Sequence, residues 1–291
     1  MYRACIIAML VASSAAAATS INCEQCEDLN REQAPFQIWG NTYYVGVHGL
    51  SSVLITSPGG HVLIDGALPQ SAPLIARHIE QLGFKVQDVK VILNSHVHFD
   101  HAGGLAELQK LSGAKVIASD IAAKVLRTGK VERNDPQFGI LKPFPAAKNV
   151  EALGARETVE VGELKLRVIH TPGHTPGGTS WTWRSCESDG CQDVVYGDSL
   201  NAISDDTFKY SGDERYPTAA SDMRASIAAI SAAPCTVLIA AHPNLTGLLT
   251  VFDAQGNGDR HELVDGSACK RYAEAGKEKL EQRLENESLG R

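Results

Sequence analysis

Residues 96–101 read His-Val-His-Phe-Asp-His, so three histidines and an aspartate occupy six consecutive positions. In an extended run, side chains two apart face the same way. His96 and His98 can therefore meet one ion from a strand end, Asp100 points similarly, and His101 falls at the turn into the following segment. Four donors this crowded cannot all serve one ion without strain. The spacing predicts ligands divided between two ions, each completed from elsewhere in the chain. Neutral imidazole and carboxylate suit zinc, and no cysteine stands near the motif to make a thiolate site.

Seven histidines lie outside this run: His48, His61, His78, His170, His174, His242 and His261. His174 sits in TPGHTPGG, a turn whose prolines and glycines fix an unusual loop at a strand end. His242 follows the apolar run TVLIAA and precedes Pro243, again at a strand end. Both are places where a buried strand delivers a side chain to one rim of a fold. His170 ends a strand too, but precedes the rigid turn. His61, His78 and His261 read as ordinary core or surface histidines.

The elements around these residues follow from pattern and punctuation. FQIW, TYYVGV, SSVLITS and HVLIDG, separated by Gly and Asn, predict an antiparallel meander. PLIARHIEQLGF is amphipathic and ends on Gly83, which predicts a helix with its stop signal. VKVILNS is a buried strand running into the histidine motif. AGGLAELQKLSG predicts a helix, AKVIAS a strand and DIAAKVLRTG a helix. Residues 129–150 carry Pro136, Pro143 and Pro145 without periodicity and predict a long loop, a feature that is often functional in a compact domain. Strands follow in ETVEVG, LKLRVIHT, TSWTWRS and DVVYGDS, then a helix in SDMRASIAAISAA, the strand TVLIAAH and a helical tail from Ser267 to Ser288. The order predicts an α/β fold of two sheets covered by helices.

Composition excludes several function classes. The 291 residues are 43% hydrophobic and 21% charged, an ordinary globular balance with enough chain for a substantial core. A formal charge of −7 without a basic run leaves no footprint for nucleic acid. Residues 1–18, MYRACIIAMLVASSAAAA, have the charged start, apolar stretch and small-residue end of a secretory leader, and are too short to span a membrane. Residues 19–291 are then expected as a single domain, periplasmic and free of the membrane. Without the leader's Cys5 six cysteines remain, an even number that suggests disulfides in an oxidising compartment. Cys186 and Cys191 bracket a turn signal as a bridged hairpin would. Cys23 and Cys26 read equally well as a bridge or as buried thiols.

SHVHFDHAGG, TPGHTPGG and AAHP together resemble the metallo-β-lactamase superfamily, over about residues 30–280. The pair Asp100-His101, the TSWTW strand, and a serine rather than a cysteine after Asp198 in YGDSL resemble the third subclass of class B. The resemblance implies an αββα sandwich of two mixed β-sheets and two Zn2+ ions per chain. It assigns the first zinc to His96, His98 and His174, and the second to Asp100, His101 and His242. It implies a secreted β-lactamase that hydrolyses penicillins, cephalosporins and carbapenems through a zinc-bound hydroxide oriented by Asp100, with a role in antibiotic resistance. Ser199 matches the first of two substrate-contacting serines. Asn201 stands where the second would be, a departure that leaves an uncharged donor. Bridges Cys186–Cys191 and Cys235–Cys269 match positions in that subclass. A monomer acting on a small-molecule β-lactam is expected, with the 129–147 loop flanking the cleft.

The same scaffold hosts lactonases, thioester hydrolases and RNA-processing nucleases. In those branches an aspartate in a Gly-Asp turn bridges the metals, and Asp198 sits in such a turn, here expected to brace it instead. The leader weighs against the glutathione thioesters and precursor RNA of the cytoplasm, but not against a lactone. A periplasmic zinc-binding protein without catalysis is the reading of a different class. The GDSL tetrapeptide has no Asp-x-x-His downstream and carries no serine-esterase reading.

Overall fold

The computed structural model describes residues 19–188, 190–253 and 260–290, the side chain of Asp253 excepted. The leader expected over residues 1–18 lies outside them. After a short helix α1 (Cys26–Leu29), strands β1 (Phe36–Trp39), β2 (Thr42–Tyr44), β3 (Val53–Ile55) and β4 (His61–Ile64) form the expected antiparallel meander. Helix α2 (Ala72–Gln81) crosses to β5 (Val89–Leu93), which lies parallel to β4. Helices α3 (Phe99–Ala102) and α4 (Leu105–Ser112) lead to β6 (Lys115–Ala118), and α5 (Asp120–Thr128) and the long loop lead to β7 (Val150–Ala152). The first sheet has the order β1-β2-β3-β4-β5-β6-β7. Strands β8 (Thr158–Val161), β9 (Leu164–His170), β10 (Thr179–Glu187) and β11 (Gly190–Gly197) run antiparallel in the second sheet. Helix α6 (Ala219–Ala232) then carries the chain to β12 (Val237–Ala240), parallel to β11, and α7 (Leu248–Asp253) and α8 (Ala268–Ser288) follow.

Alternation along the strands explains the layering. In β3 to β6, Val53, Ile55, Val62, Ile64, Val91, Leu93 and Ile117 point inward between the sheets, where they meet Trp181, Trp183, Val194, Tyr196, Val237 and Ile239. Their neighbours Leu54, Leu63, Ile92 and Val116 point outward onto Ile75 and Ile79 of α2, Leu105 and Leu108 of α4, and Leu126 of α5. On the far side, Val195 and Leu238 face Met223, Ile227 and Ile230 of α6 and Tyr272 of α8. A strand buried on both faces reads as a continuous apolar run, which is why VKVILNS and TVLIAAH were legible.

Three local differences separate the structure from the sequence reading, the first two with physical causes. The helix expected over AGGLAELQKLSG starts late, at Leu105 of α4, and its first residue, Ala102, closes the separate turn α3. A Cβ on Gly104 would stand 2.1 Å from the carbonyl oxygen of Gly66, so this backbone is held against the strand β4 exit rather than continuing one helix. The loop expected through residue 150 ends in strand β7, recruited to the sheet edge by pairing of Val150 with Val116. Helix α7 had no expected counterpart.

Among the described residues, three disulfides link Cys23–Cys26, Cys186–Cys191 and Cys235–Cys269. The second closes the turn between β10 and β11, where the two cysteines are directly paired across the strands. The third ties the start of β12 to the first turn of α8 across a separation of 34 residues. In the chain-entropy account such a loop closure contributes roughly 4 kcal/mol. We expect the Cys235→Ala/Cys269→Ala double variant to lose about 2–4 kcal/mol in urea unfolding. A midpoint and slope identical to the parent would show that α8 docks without the tether.

Candidate metal centre

The carboxyl ends of the strands converge on one rim. Asp65 follows β4, His96 follows β5, Asp198 follows β11 and His242 follows β12. His174 comes from the turn after β9, held by α6. Ser226 donates to the Pro172 carbonyl at 2.6 Å, and a Cβ on Gly173 (φ +134°) would stand 2.7–2.8 Å from Met223. Only glycine lets the turn lie this close to the helix.

The extended run is shorter than the spacing implied. It ends at His98 (φ −76°, ψ 151°), and the chain enters α3 at Phe99. Asp100 and His101 are therefore presented from a helical turn and not from a strand. That change of direction separates the motif into two sets. His96, His98 and His174 form one group, and Asp100, His101 and His242 a second, with the ligand atoms of each within 4.8 Å of one another.

Each ring of the first group has one nitrogen already committed. His96 Nδ1 donates to Asp198 Oδ1 at 2.8 Å, and His174 Nδ1 to the Asn201 carbonyl at 2.7 Å. Both therefore turn Nε2 to the group. His98 is the reverse, with Nε2 at 3.2 and 3.3 Å from the Asp135 carboxylate, leaving Nδ1 for the group. Such acceptors fix tautomer and orientation and raise ligand basicity. Burial also keeps the His96 and His174 rings neutral. It drives His96 well below its ordinary value, with the neighbouring imidazoles adding to the effect. His174 falls to about 3 through burial and then His98.

In the second group His242 Nδ1 donates to the Gly49 carbonyl at 3.1 Å. Its Nε2 therefore presents a lone pair, 3.1 Å from His101 Nε2. Asp100 Oδ2 stands 3.3 Å from the His101 nitrogen and 3.6 Å from that of His242. Tetrahedral ligands about 2.0–2.2 Å from one ion stand roughly 3.3–3.6 Å apart, so the three atoms form a triangle of the right size for a small cation. Burial alone would raise Asp100, but His101 and then His242 hold it below the usual carboxylate range. His101 is raised because Asp100 outweighs its burial, while burial and His101 lower His242 to about 4. Three convergent donors carrying one negative charge make this a place for positive charge.

The other expected residues lie beside the two groups. Ser199 is 2% exposed, and its backbone N–H donates to Asp198 Oδ1 at 2.8 Å. Asn201 is half-buried and supplies the carbonyl that orients His174. Asp198 also lies near Thr171, whose hydroxyl donates to Oδ2 at 3.4 Å, and takes its place behind His96. Burial raises its pKa well above the ordinary range.

Sequence reasoning missed the supports. Asp135 stands in the proline-rich loop, and Gly49 acts through a carbonyl that any residue could offer. Asp65 does carry a signal in the sequence, a charged residue ending the apolar run HVLI directly before Gly66. It accepts from Ser95 N, Ser95 Oγ, Asn94 Nδ2 and Tyr196 Oη, at 2.7, 2.5, 3.0 and 2.8 Å.

Comparison with known proteins adds to this geometry. Residues 45–242 match the family described as the Metallo-beta-lactamase superfamily. The fold is similar to the crystal structure of MEM-A1, a subclass B3 metallo-beta-lactamase isolated from a soil metagenome library. The two are 49% identical with a TM-score of 0.88, over 91% of this chain and 100% of the other. Among curated sequences, an uncharacterized protein YobT of Bacillus subtilis (strain 168) is 34% identical over 149 residues, 50% of this chain and 61% of its own. A hydroxyacylglutathione hydrolase of Rhodopseudomonas palustris (strain BisB5) is 36% identical over 121 residues, 41% of this chain and 36% of its own. The chain thus spans less than two thirds of these two curated relatives.

Burial differs between the groups. The side chains of His96 and His98 are 1% and 4% exposed, those of His242 and Asp100 29% and 17%. We expect metal titration of stripped protein to reach two equivalents, and His242→Ala to reach one. A chelator should remove the ion of the second group first. A His242→Ala protein that still takes two equivalents would contradict the division into two sets.

Proposed function

Because this chain belongs to subclass B3 of the metallo-beta-lactamase superfamily, we propose that it hydrolyses the amide bond of the β-lactam ring in antibiotics, with two zinc ions. The observation that carries the reading is the pairing, on one rim, of a three-histidine group with an Asp-His-His group. Imidazole and carboxylate donors without a thiolate suit zinc. Zinc, when bound there, supplies an acidified water, with a pKa near ~7, and Lewis-acid polarisation of the carbonyl.

The chain's own residues supply orientation. Asp198, Asp135 and the Asn201 carbonyl hold the three rings of the first group, so no ring needs to turn when the group is used. The Asp100 side chain is 17% exposed, close enough to the surface to accept a hydrogen bond from the attacking water and orient it. No side-chain nucleophile is required. Apolar side chains stand within a few residues of these supports. Phe138 and Ile140 follow Asp135 on the long loop, and Ile203 follows Asn201, all 44–57% exposed. Exposed apolar groups on the segments that carry these supports suit a bicyclic substrate with an apolar side chain. Ser199 and Asn201 are the proposed contacts of the substrate carboxylate, Ser199 through a water because it is nearly enclosed.

The three disulfides support a periplasmic location. No helix among the described residues is long and apolar enough to cross a membrane. The second reading, a lactone or thioester hydrolase, is favoured by one observation, the likeness to the hydroxyacylglutathione hydrolase. One assay separates them. Purified protein should hydrolyse a chromogenic cephalosporin and a carbapenem, and lose both activities to a chelator. Turnover of a lactone or thioester with no lactam turnover would move the assignment to the second reading. For substrate contact, Ser199→Ala should raise KM by several-fold and leave metal content unchanged. A hydrogen bond to a charged group is worth about 1.5–3 kcal/mol when direct, so a rise well beyond 10-fold would mean that no water intervenes.

A further inference from the structure

We propose that Asp135, on the long loop between α5 and β7, is a positioning residue that sets the metal affinity of the first group through His98. The inference rests on the reading of His96, His98 and His174 as ligands of one ion. His98 is the odd member of that set. It is the one whose Nε2, not Nδ1, is committed to an acceptor, and the acceptor is a full carboxylate at 3.2 and 3.3 Å. Asp135 is 2% exposed and His98 3%, so water does not compete for the contact. An imidazole that must offer Nδ1 to an ion has to keep its proton on Nε2. A buried carboxylate beside Nε2 imposes that tautomer and increases the electron density at Nδ1.

The carboxylate is itself held by the loop. Gln137 N donates to Asp135 Oδ1 at 2.8 Å, closing a local turn. The next turn is docked onto Asp205, whose backbone N–H donates to the Pro136 carbonyl at 2.9 Å and whose Oδ2 accepts from Gly139 N at 3.1 Å. Asp205 is fixed in turn by Thr207 N, Thr207 Oγ1 and Phe208 N, at 2.8, 2.6 and 3.0 Å. The loop thereby acquires a function separate from flanking the cleft. It carries to His98 the acceptor that no strand end supplies.

The test compares Asp135→Ala and Asp135→Asn with the parent in zinc titration against a competing chelator. It also reads the His98 tautomer in the metal-free protein by nitrogen-15 NMR. Removing such a support typically costs about 10–100-fold in metal affinity. Asp135→Ala should show a loss of that size for the first equivalent, no change in the second, and a His98 ring no longer held as the Nε2–H form. Asp135→Asn keeps an acceptor for both Gln137 N and His98 Nε2 and loses only the charge, so it should hold the tautomer and lose less affinity. Where Asp135→Ala does not fold, the asparagine variant carries the test alone. Parent-like affinity for the first equivalent in the folded variants overturns the proposal. A parent that takes up no zinc, or a His174→Ala variant that keeps both equivalents, overturns the ligand assignment instead, so the two failures are distinguishable.

Discussion

A carboxylate with no exposure to water lies beneath the two ligand groups, and the surrounding chain is arranged to satisfy it. Asp65 has lost its hydration, and an ionised group so buried is tolerated only where donors replace the water. Four donors do so, from Ser95, Asn94 and Tyr196. Two of these residues lie in the stretch joining β5 to the histidine motif and one on β11, so a single group ties the first sheet to the second at the rim. The backbone of the same turn is strained, with Asp65 at φ 59° and Ala67 at φ 52°. The strain is held by pairing, since Gly66 N donates to the His101 carbonyl and Gly104 N to the Ala67 carbonyl, at 2.9 and 3.1 Å. Non-glycine residues persist in this region only where their surroundings over-determine them. What the pairing secures is the position of α3, which carries Asp100 and His101.

The same need for satisfaction gives the site its readiness. Five imidazoles are packed with neighbouring ring centroids 4.2–4.9 Å apart. If they were charged, that cluster would repel itself. Burial and mutual repulsion instead leave His96, His174 and His242 neutral, with lone pairs directed at common points. Such nitrogens, held by acceptors on their far sides, incur little reorganisation on meeting a cation. His101 is the exception. Among the described residues its Nδ1 has no hydrogen-bond partner, and a carboxylate oxygen of Asp65 is 3.8 Å away. The ring is steered by Asp100 in front more than by any support behind.

The ligands were legible in the sequence and their supports were not, for a physical reason. HVHFDH announces itself because donors must be of few residue types and cluster where a strand ends. His174 and His242 were found because an apolar strand and a rigid turn precede them. A support needs only an acceptor atom at the right place. The Gly49 and Asn201 carbonyls could belong to any residue, and Asp135 lies in a loop without periodicity. The layered fold was legible for the opposite reason: short apolar runs such as those of β3, β4 and β5 are a local property repeated many times. The extended reading of Asp100 failed because the backbone turns helical at Phe99, a switch that depends on how Gly103 and Gly104 meet the turn after β4. That meeting is tertiary, and nothing within six residues of sequence encodes it.

The two groups also differ in what stands behind them, and this bears on how one rim can serve both structure and chemistry. The first is enclosed, with a carboxylate, a second carboxylate and a carbonyl behind its three rings, drawn from the segment after β11 and from the long loop. Its geometry is over-determined. The second is more open, with Asp100 and His242 partly exposed and a backbone carbonyl behind only one of its rings. Gly49, which offers that carbonyl, is fixed from the amino-terminal segment, where its own N–H donates to the Leu29 carbonyl at 3.0 Å and a Cβ on it would stand 2.6 Å from the Leu29 side chain. Rigid enclosure favours keeping an ion, and partial exposure favours exchange of whatever else the ion holds. A centre that must hold its metals and still admit and release a substrate needs both properties. Here they are divided between the deep side, built on the ends of β5, β9 and β11, and the open side, built on α3 and the end of β12.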